Sequence, residues 1–250
     1  KVWPFPIKRA MANNSAIYRE KPSAAEFLKE WGSLALSGTG ERGIFNLEAA
    51  QSKAPSRRYA PLIQGTNPCG EIMLRDMQFC NLTEVVVRPD DDLDSLLDKV
   101  ECATWLGVIQ STFTSFPYLR KEWKKNCDVE RLLGVSLTGQ MDNPSVLSSE
   151  ALAALKSRVI RISRKASGVL GTKMPVATTC VKPSGTVSQL VDSASGVHPR
   201  YSQYYIRRYR IAARDPLFAM MRDMGIPCNP ENGQTEEDAS TWVLEFPVMS

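Results

Sequence analysis

The sequence predicts an α/β fold with much parallel sheet. Two observations carry that reading. Amphipathic stretches with helical spacing alternate with short β-branched runs along the chain. Turn residues (Gly, Pro, Asp and Ser) mark the joints between them. No internal repeat or low-complexity segment interrupts the alternation.

Taken in order, Ser23-Ala24-Ala25-Glu26 reads as a capping box that opens a helix. Phe27, Leu28, Trp31 and Leu34 supply its apolar face, and Gly38 ends it. Gly38 to Gly43 reads as a turn-rich loop, and Tyr59 to Thr66 leads toward Cys69. Pro68 and Gly70 flank that cysteine, which argues against regular helix there. Asn81 to Val87 is strand-like. Asp90-Asp91-Asp92 opens a long helix through Leu96, Leu97, Val100 and Ile109. Arg131 to Thr138 is an apolar stretch closed by Gly139. Ser149 caps a helix with Leu152, Leu155, Val159, Ile162, Ala166 and Val169 on one face. Val176 to Val181, between Pro175 and Pro183, is a buried-strand candidate that runs into Pro183-Ser184-Gly185-Thr186. Tyr204 to Ala212 is a further strand. Asp215-Pro216 opens a short helix stopping at Gly225, and Thr241 to Val248 is a last strand.

Composition narrows the function class. The chain has 250 residues, 43% hydrophobic and 23% charged, as in a soluble globular protein with a sizeable core. A net charge of +4 is too modest to argue for nucleic acid. The basic residues are scattered except for Arg207-Arg208-Tyr209-Arg210, which reads equally as a basic cluster for an anionic ligand or as one wet strand face. No apolar run is long enough to span a membrane. The first residues, Lys1-Val2-Trp3-Pro4, lack a signal-peptide pattern, so a reducing, cytoplasmic compartment is expected. Both ends look cut, and residues 1–250 read as part of a longer protein. The six cysteines (Cys69, Cys80, Cys102, Cys127, Cys180 and Cys228) form no Cys-x-x-Cys pair, and His198 is the single histidine. No protein-ligated metal is therefore expected. Cys102, Cys127, Cys180 and Cys228 read as small hydrophobes, and His198 as a structural hydrogen-bonder.

Asn67-Pro68-Cys69-Gly70-Glu71-Ile72 is the most informative segment. It sets a carboxamide, a thiol and a carboxyl within five residues, and a second thiol follows at Cys80. Acid–base groups beside paired thiols point to redox chemistry on a small polar substrate. Pro183-Ser184-Gly185-Thr186 after a strand offers backbone N–H groups and hydroxyls to phosphate oxygens.

These motifs together resemble the ribonucleotide reductases, in particular the adenosylcobalamin-dependent ribonucleoside-triphosphate reductase branch. Asn67 to Ile72 and Cys80-Asn81-Leu82-Thr83-Glu84-Val85 carry the likeness. Arg131 to Gly139 resembles a helix-end motif of the family, and Thr179 to Thr186 its phosphate loop. Ser195-Gly196-Val197-His198-Pro199-Arg200 with Tyr204 to Arg208 resembles the segment after that loop. The likeness runs from about Asn13 to Pro227.

The resemblance implies a fold, a reaction and a set of roles. The fold would be part of a ten-stranded α/β barrel with a central finger loop. The reaction would be reduction of ribonucleoside triphosphates to 2′-deoxyribonucleotides, the precursors of DNA. Cys69 would be the thiyl-radical cysteine at the finger tip, with the cobalt–carbon bond of adenosylcobalamin as radical source. Glu71 would be the base toward the 3′-hydroxyl and Asn67 a substrate hydrogen-bonder. Cys80 would be half of the dithiol that becomes a disulfide. Its family partner would lie upstream of Lys1, and a thioredoxin-type reductant would restore the pair. Pro183, Ser184, Gly185 and Thr186 would hold substrate phosphate. Residues 1–250 would be the central segment of the catalytic subunit, inactive when isolated. Two alternatives stand beside this one: the large subunit of a reductase whose radical comes from a separate metal-containing subunit, and a non-catalytic nucleotide-binding relic. The motifs specify neither base preference, effector response, oligomeric state nor a cellular or viral source.

Overall fold

The computed structural model describes residues 12–38 and 43–249. They fall into two compact units, divided after Pro199. Residues 39–42 of the expected Gly38-to-Gly43 loop lie outside the described residues, as do residues 1–11 and Ser250.

The first unit opens with β1 (Ala16–Tyr18), which pairs in parallel with β2 (Ile44–Asn46). Between them runs helix α1 (Ala24–Ser37). The Ser23 hydroxyl accepts from the Glu26 N–H while the Glu26 carboxylate accepts from the Ser23 N–H, so two otherwise unpaired donors are satisfied. Gly38 ends the helix in the left-handed conformation, as the sequence predicts. Asn46 then caps the short helix α2 (Leu47–Ser52), which sequence periodicity did not disclose because it is under two turns long.

β3 (Gly65–Thr66) and β4 (Met73–Leu74) form an antiparallel hairpin, and Asn67 to Ile72 is its tip. β5 (Asn81–Val86) follows, then helix α3 (Leu93–Gln110). Asp92 accepts from the Ser95 N–H and Ser95 returns the bond, which makes Asp92 the cap the acidic run predicted. Helix α4 (Lys121–Glu130) leads into β6 (Leu133–Thr138), which pairs with β5 in parallel over its whole length. The Arg131-to-Gly139 stretch, likened to a helix end, is therefore mostly strand. Only Arg131 belongs to a helix end, closing α4 with a left-handed backbone. The reason is burial: Leu133, Gly134, Val135 and Ser136 are all enclosed, so alternate faces of the segment are both covered, as in an interior parallel strand.

Helix α5 (Ser149–Val169) is capped by Ser148, one residue before the predicted cap. α3 and α5 lie on the β5–β6 pair. Val85, Val87, Leu96, Val100, Ala103, Val135, Leu155 and Val159 make one apolar cluster. Each large side chain enclosed there contributes roughly 1.5–3 kcal/mol. Leu152 and Val169, predicted for the same face of α5, are exposed.

Val176 to Val181 was expected as a strand. It runs beside β6 but meets it in ladder geometry only at Thr179. Four backbone bonds hold it: Val176 N–H to Glu130 O, Leu133 N–H to Ala177 O, Val135 N–H to Thr178 O and Cys180 N–H to Val135 O. Pro175 and Pro183 bracket the stretch and cannot donate to a ladder, which limits its length. A five-residue helix, α6 (Thr186–Leu190), follows.

The second unit, Arg200 onward, is an antiparallel sheet in the order β7 (Tyr204–Ala212), β9 (Thr241–Met249), β8 (Cys228–Pro230), with helix α7 (Pro216–Asp223). Asp215 caps α7, as predicted. Ile211, Phe218 and Leu244 form the core. Arg208 pairs with Glu245 and Arg210 with Glu231, so the basic run is an ion-paired, largely exposed strand face. Described sheet pairs are thus both parallel and antiparallel, and the longest is antiparallel, against the expectation of mainly parallel sheet.

Candidate active site

The hairpin tip is built by its own polar groups. The Asn67 N–H donates to Ile72 O at 3.1 Å and the Gly70 N–H to Asn67 O at 3.0 Å. Asn67 Oδ1 accepts the Ile72 N–H at 3.0 Å, closing the loop from inside. Gly70 has φ of +85°, which a side chain would strain. Asn13 Nδ2 braces the tip through Pro68 O. The result is a rigid turn with Cys69 exposed at its end.

A buried polar network holds the base of the hairpin. Arg58 Nη1 donates to Met73 O at 2.7 Å, and Arg58 Nη2 reaches Glu130 Oε2 at 2.8 Å. Gln78 Nε2 donates to the same Glu130 oxygen, and Gln78 Oε1 accepts from the Arg75 N–H. Arg58, Gln78 and Glu130 are all buried. Arg58 thereby ties β4 to Glu130 at the end of α4 by charge-assisted bonds, with Gln78 bonded to both.

Glu71 points the other way from solvent: its side chain is 3% exposed. Both carboxylate oxygens are buried without a hydrogen-bond partner. Their one described ionic neighbour is Lys182, whose Nζ stands 3.4 Å from Oε1 without hydrogen-bond alignment. The same ammonium donates to Cys69 Sγ at 3.7 Å and to Pro183 O at 3.2 Å. Desolvation pulls the Lys182 ammonium toward the neutral form, but Glu71 and Cys69 outweigh it and its pKa rises. Lys182 is itself placed by its N–H bond to Ser136 on β6.

Cys80 sits just before β5, half-buried, with Sγ directed to Leu132 O at 3.7 Å. Burial first, then Cys180 and Glu71, push its thiol far above the ordinary range. Cys180 is pushed up to about 12 by burial and then by Glu71, against the pull of Lys182. Both are S–H at neutral pH. Cys180 is, like Cys80, half-buried. Gly134 leaves room for the Cys180 side chain, since a Cβ there would lie 2.9 Å from Cys180 Sγ and 2.5 Å from Leu82 Cδ2. Cys127 is buried as expected, whereas Cys102 is exposed on α3.

In the Pro183-to-Thr186 loop, Ser184 is 4% exposed and its Oγ has no partner. Ser184 O accepts from the Ser195 and Ser188 hydroxyls, which fixes the loop backbone. His198 is exposed, three residues after Ser195, whose hydroxyl bonds to the loop at Ser184 O. A cavity of about 540 Å³ touches Glu71 and is walled by Arg57, Arg58, Lys156 and Thr179. Cys69 and the Pro183-to-Thr186 loop are not among its walls.

The structure thus brings Cys69, Glu71 and the start of the phosphate-loop candidate together, through Lys182. It sets Cys80 in a separate, half-buried position just before β5, against Leu132 O. Sequence reasoning passed over Lys182 and the Arg58–Gln78–Glu130 network. Lys182 stood inside the quoted Thr179-to-Thr186 motif, and a basic residue before a phosphate loop was the available signal. The buried network joins residues up to 72 positions apart and carries no local signature.

No family model matches the chain. Curated relatives do. The adenosylcobalamin-dependent ribonucleoside-triphosphate reductase of Lacticaseibacillus paracasei is 28% identical over 259 residues, covering 87% of this chain and 33% of the relative. That of Levilactobacillus brevis is 29% identical over 259 residues, covering 86% and 33%. That of Lactobacillus acidophilus is 27% identical over 288 residues, covering 97% and 36%. The chain spans about a third of the length of these relatives. A crystal structure of a B12-dependent (class II) ribonucleotide reductase aligns with TM-score 0.67 and 25% identity, over 95% of this chain and 36% of that one. The alpha subunit of a class Id ribonucleotide reductase from Actinobacillus ureae shares the fold, with TM-score 0.59, 18% identity, and 81% and 44% coverage. Over most of its length, the chain is similar to adenosylcobalamin-dependent ribonucleotide reductases.

Proposed function

We propose that the chain is the central part of the catalytic barrel of a ribonucleoside-triphosphate reductase, with the Cys69 hairpin as the finger loop of a ten-stranded barrel. One observation carries this reading. An exposed thiol on a braced tip stands beside a buried carboxylate with no hydrogen-bond partner, two residues away. Lys182 offsets the charge of Glu71 from 3.4 Å, but the buried oxygens keep unused hydrogen-bonding capacity. A substrate hydroxyl would use it.

Adenosylcobalamin, when bound, supplies the radical that removes the hydrogen of the Cys69 thiol. Cys69 fits such a donor, because its exposed Sγ can be reached without opening the core.

The chain's own residues then divide the work. The Cys69 sulfur radical takes the ribose 3′-hydrogen and becomes S–H. Glu71 accepts the 3′-hydroxyl proton, and the 2′-hydroxyl takes a proton and leaves as water. Cys80 and its partner thiol give up two hydrogens and close as a disulfide. Cys69 returns its hydrogen to C3′. The sum is ribonucleotide plus dithiol to deoxyribonucleotide, disulfide and water. A donor of hydrogen atoms must hold its proton, and burial keeps Cys80 as S–H. Asn67 spends its Oδ1 on the loop, which leaves Nδ2 as the end assigned to substrate. Pro183, Ser184, Gly185 and Thr186 bind phosphate, with the unpartnered Ser184 Oγ as one donor. A thioredoxin-type dithiol reopens the disulfide in the cytoplasm. The exposed Trp31, Leu36 and Leu190 fit a segment covered by the rest of a larger barrel.

The test is deoxynucleotide formation by the full-length protein with adenosylcobalamin as the only added cofactor. Wild type turns over and Cys69→Ala does not. Product from the variant, or a requirement for a second protein subunit, contradicts the proposal.

A further inference from the structure

Lys182 is the side chain on which the thiol, the carboxylate and the phosphate-loop candidate converge. Its Nζ is 3.7 Å from Cys69 Sγ, 3.4 Å from Glu71 Oε1 and 3.2 Å from Pro183 O. It is the last residue before Pro183-Ser184-Gly185-Thr186. Its side chain is 26% exposed, so the ammonium is held inside the site while keeping a path outward.

We propose that Lys182 is a positioning residue that couples occupancy of the phosphate loop to the state of Cys69 and Glu71. The idea rests on the assignment of that loop to substrate phosphate. With the loop empty, the ammonium neutralises Glu71 and sits against the Cys69 sulfur. A polyphosphate at Ser184 and its neighbours offers several negative charges to the same ammonium. Lysine is a compact cation on a flexible four-carbon stem, so Nζ can change partners while its backbone stays fixed to Ser136. Drawn to the phosphates, it leaves the Glu71 carboxylate free for the ribose 3′-hydroxyl. The base is thus released only when substrate is bound.

No covalent step is involved; the device exchanges one ion pair for another. It also differs from simple phosphate binding. A lysine that only held phosphate would leave Cys69 indifferent to its removal. Here the thiol senses the ammonium directly.

Alkylation of Cys69 reads this without turnover. The full-length protein is treated with iodoacetamide at neutral pH, and modification of the Cys69 peptide is followed by mass spectrometry, with and without inorganic tripolyphosphate. Thiolate is the reacting form, so a neighbouring cation speeds the reaction. In wild type, tripolyphosphate slows alkylation by up to about fivefold, the upper range for a partly exposed charge pair. Lys182→Met starts at the slow rate and does not respond. Lys182→Arg, which keeps the charge and controls for folding, stays fast. Equal rates in wild type and Lys182→Met, or equal slowing of both by tripolyphosphate, overturn the coupling. Those results would leave the Cys69 radical assignment standing, because that rests on product formation by Cys69→Ala. Product from Cys69→Ala would remove the reductase reading while leaving the measured coupling intact.

Discussion

At the scale of single residues, the site is a set of groups kept apart in protonation and reach. Cys69 is exposed, and Glu71 is enclosed beside it with both oxygens unbonded. Cys80 is deeper and held as a thiol. These assignments predict distinct failures. Glu71→Gln removes proton acceptance while keeping size and hydrogen bonding, so single-turnover deoxynucleotide formation should drop by about 10²–10⁴-fold. Loss of less than about tenfold would deny Glu71 the role of base. That Asn67, Cys69 and Glu71 share one turn was legible because they are neighbours in sequence. Lys182 was not, because its meaning depends on a contact 113 residues away.

At the scale of elements, the hairpin works only because its base is held. Arg58, Gln78 and Glu130 join the hairpin to the end of α4. Glu130→Ala would strand the buried Arg58 guanidinium and should lower unfolding free energy by about 3–5 kcal/mol. The double change Arg58→Met with Glu130→Leu should recover much of that, since it removes both charges. A denaturant titration of the three proteins checks the order; a single variant as stable as wild type would show that the network holds nothing. Helices with caps, α1, α3 and α7, were legible to within a residue or two, because Ser23, Asp92 and Asp215 make local bonds. β6 was read only as an apolar stretch because a strand buried on both faces loses the period-two pattern. β1, β2 and β8 are three-residue strands whose existence depends on distant partners.

At the scale of the whole molecule, two half-buried thiols tie stability to pH. The unfolded chain ionises Cys180 near its ordinary value, while the folded chain holds it up to about 12. Below that ordinary value both states keep the proton, and stability is unaffected. Above it the unfolded state loses a proton that the folded state retains, so stability falls as pH rises toward about 12. Cys80 is pushed in the same direction. Cys180→Ala should flatten this alkaline decline in a pH series of thermal melts; an unchanged slope would show that the thiol does not carry it. The α/β class was legible from alternation alone, whereas the division after Pro199 has no composition shift to announce it. The central claim is that Cys69 carries the radical while Cys80 serves a later step. Release of tritium from a 3′-tritiated ribonucleoside triphosphate by the full-length protein tests it most directly. Cys80→Ser should still release label while forming no deoxynucleotide by multiple turnover, and Cys69→Ala should release none. Label released by Cys69→Ala, or none from Cys80→Ser, would contradict the separation of duties.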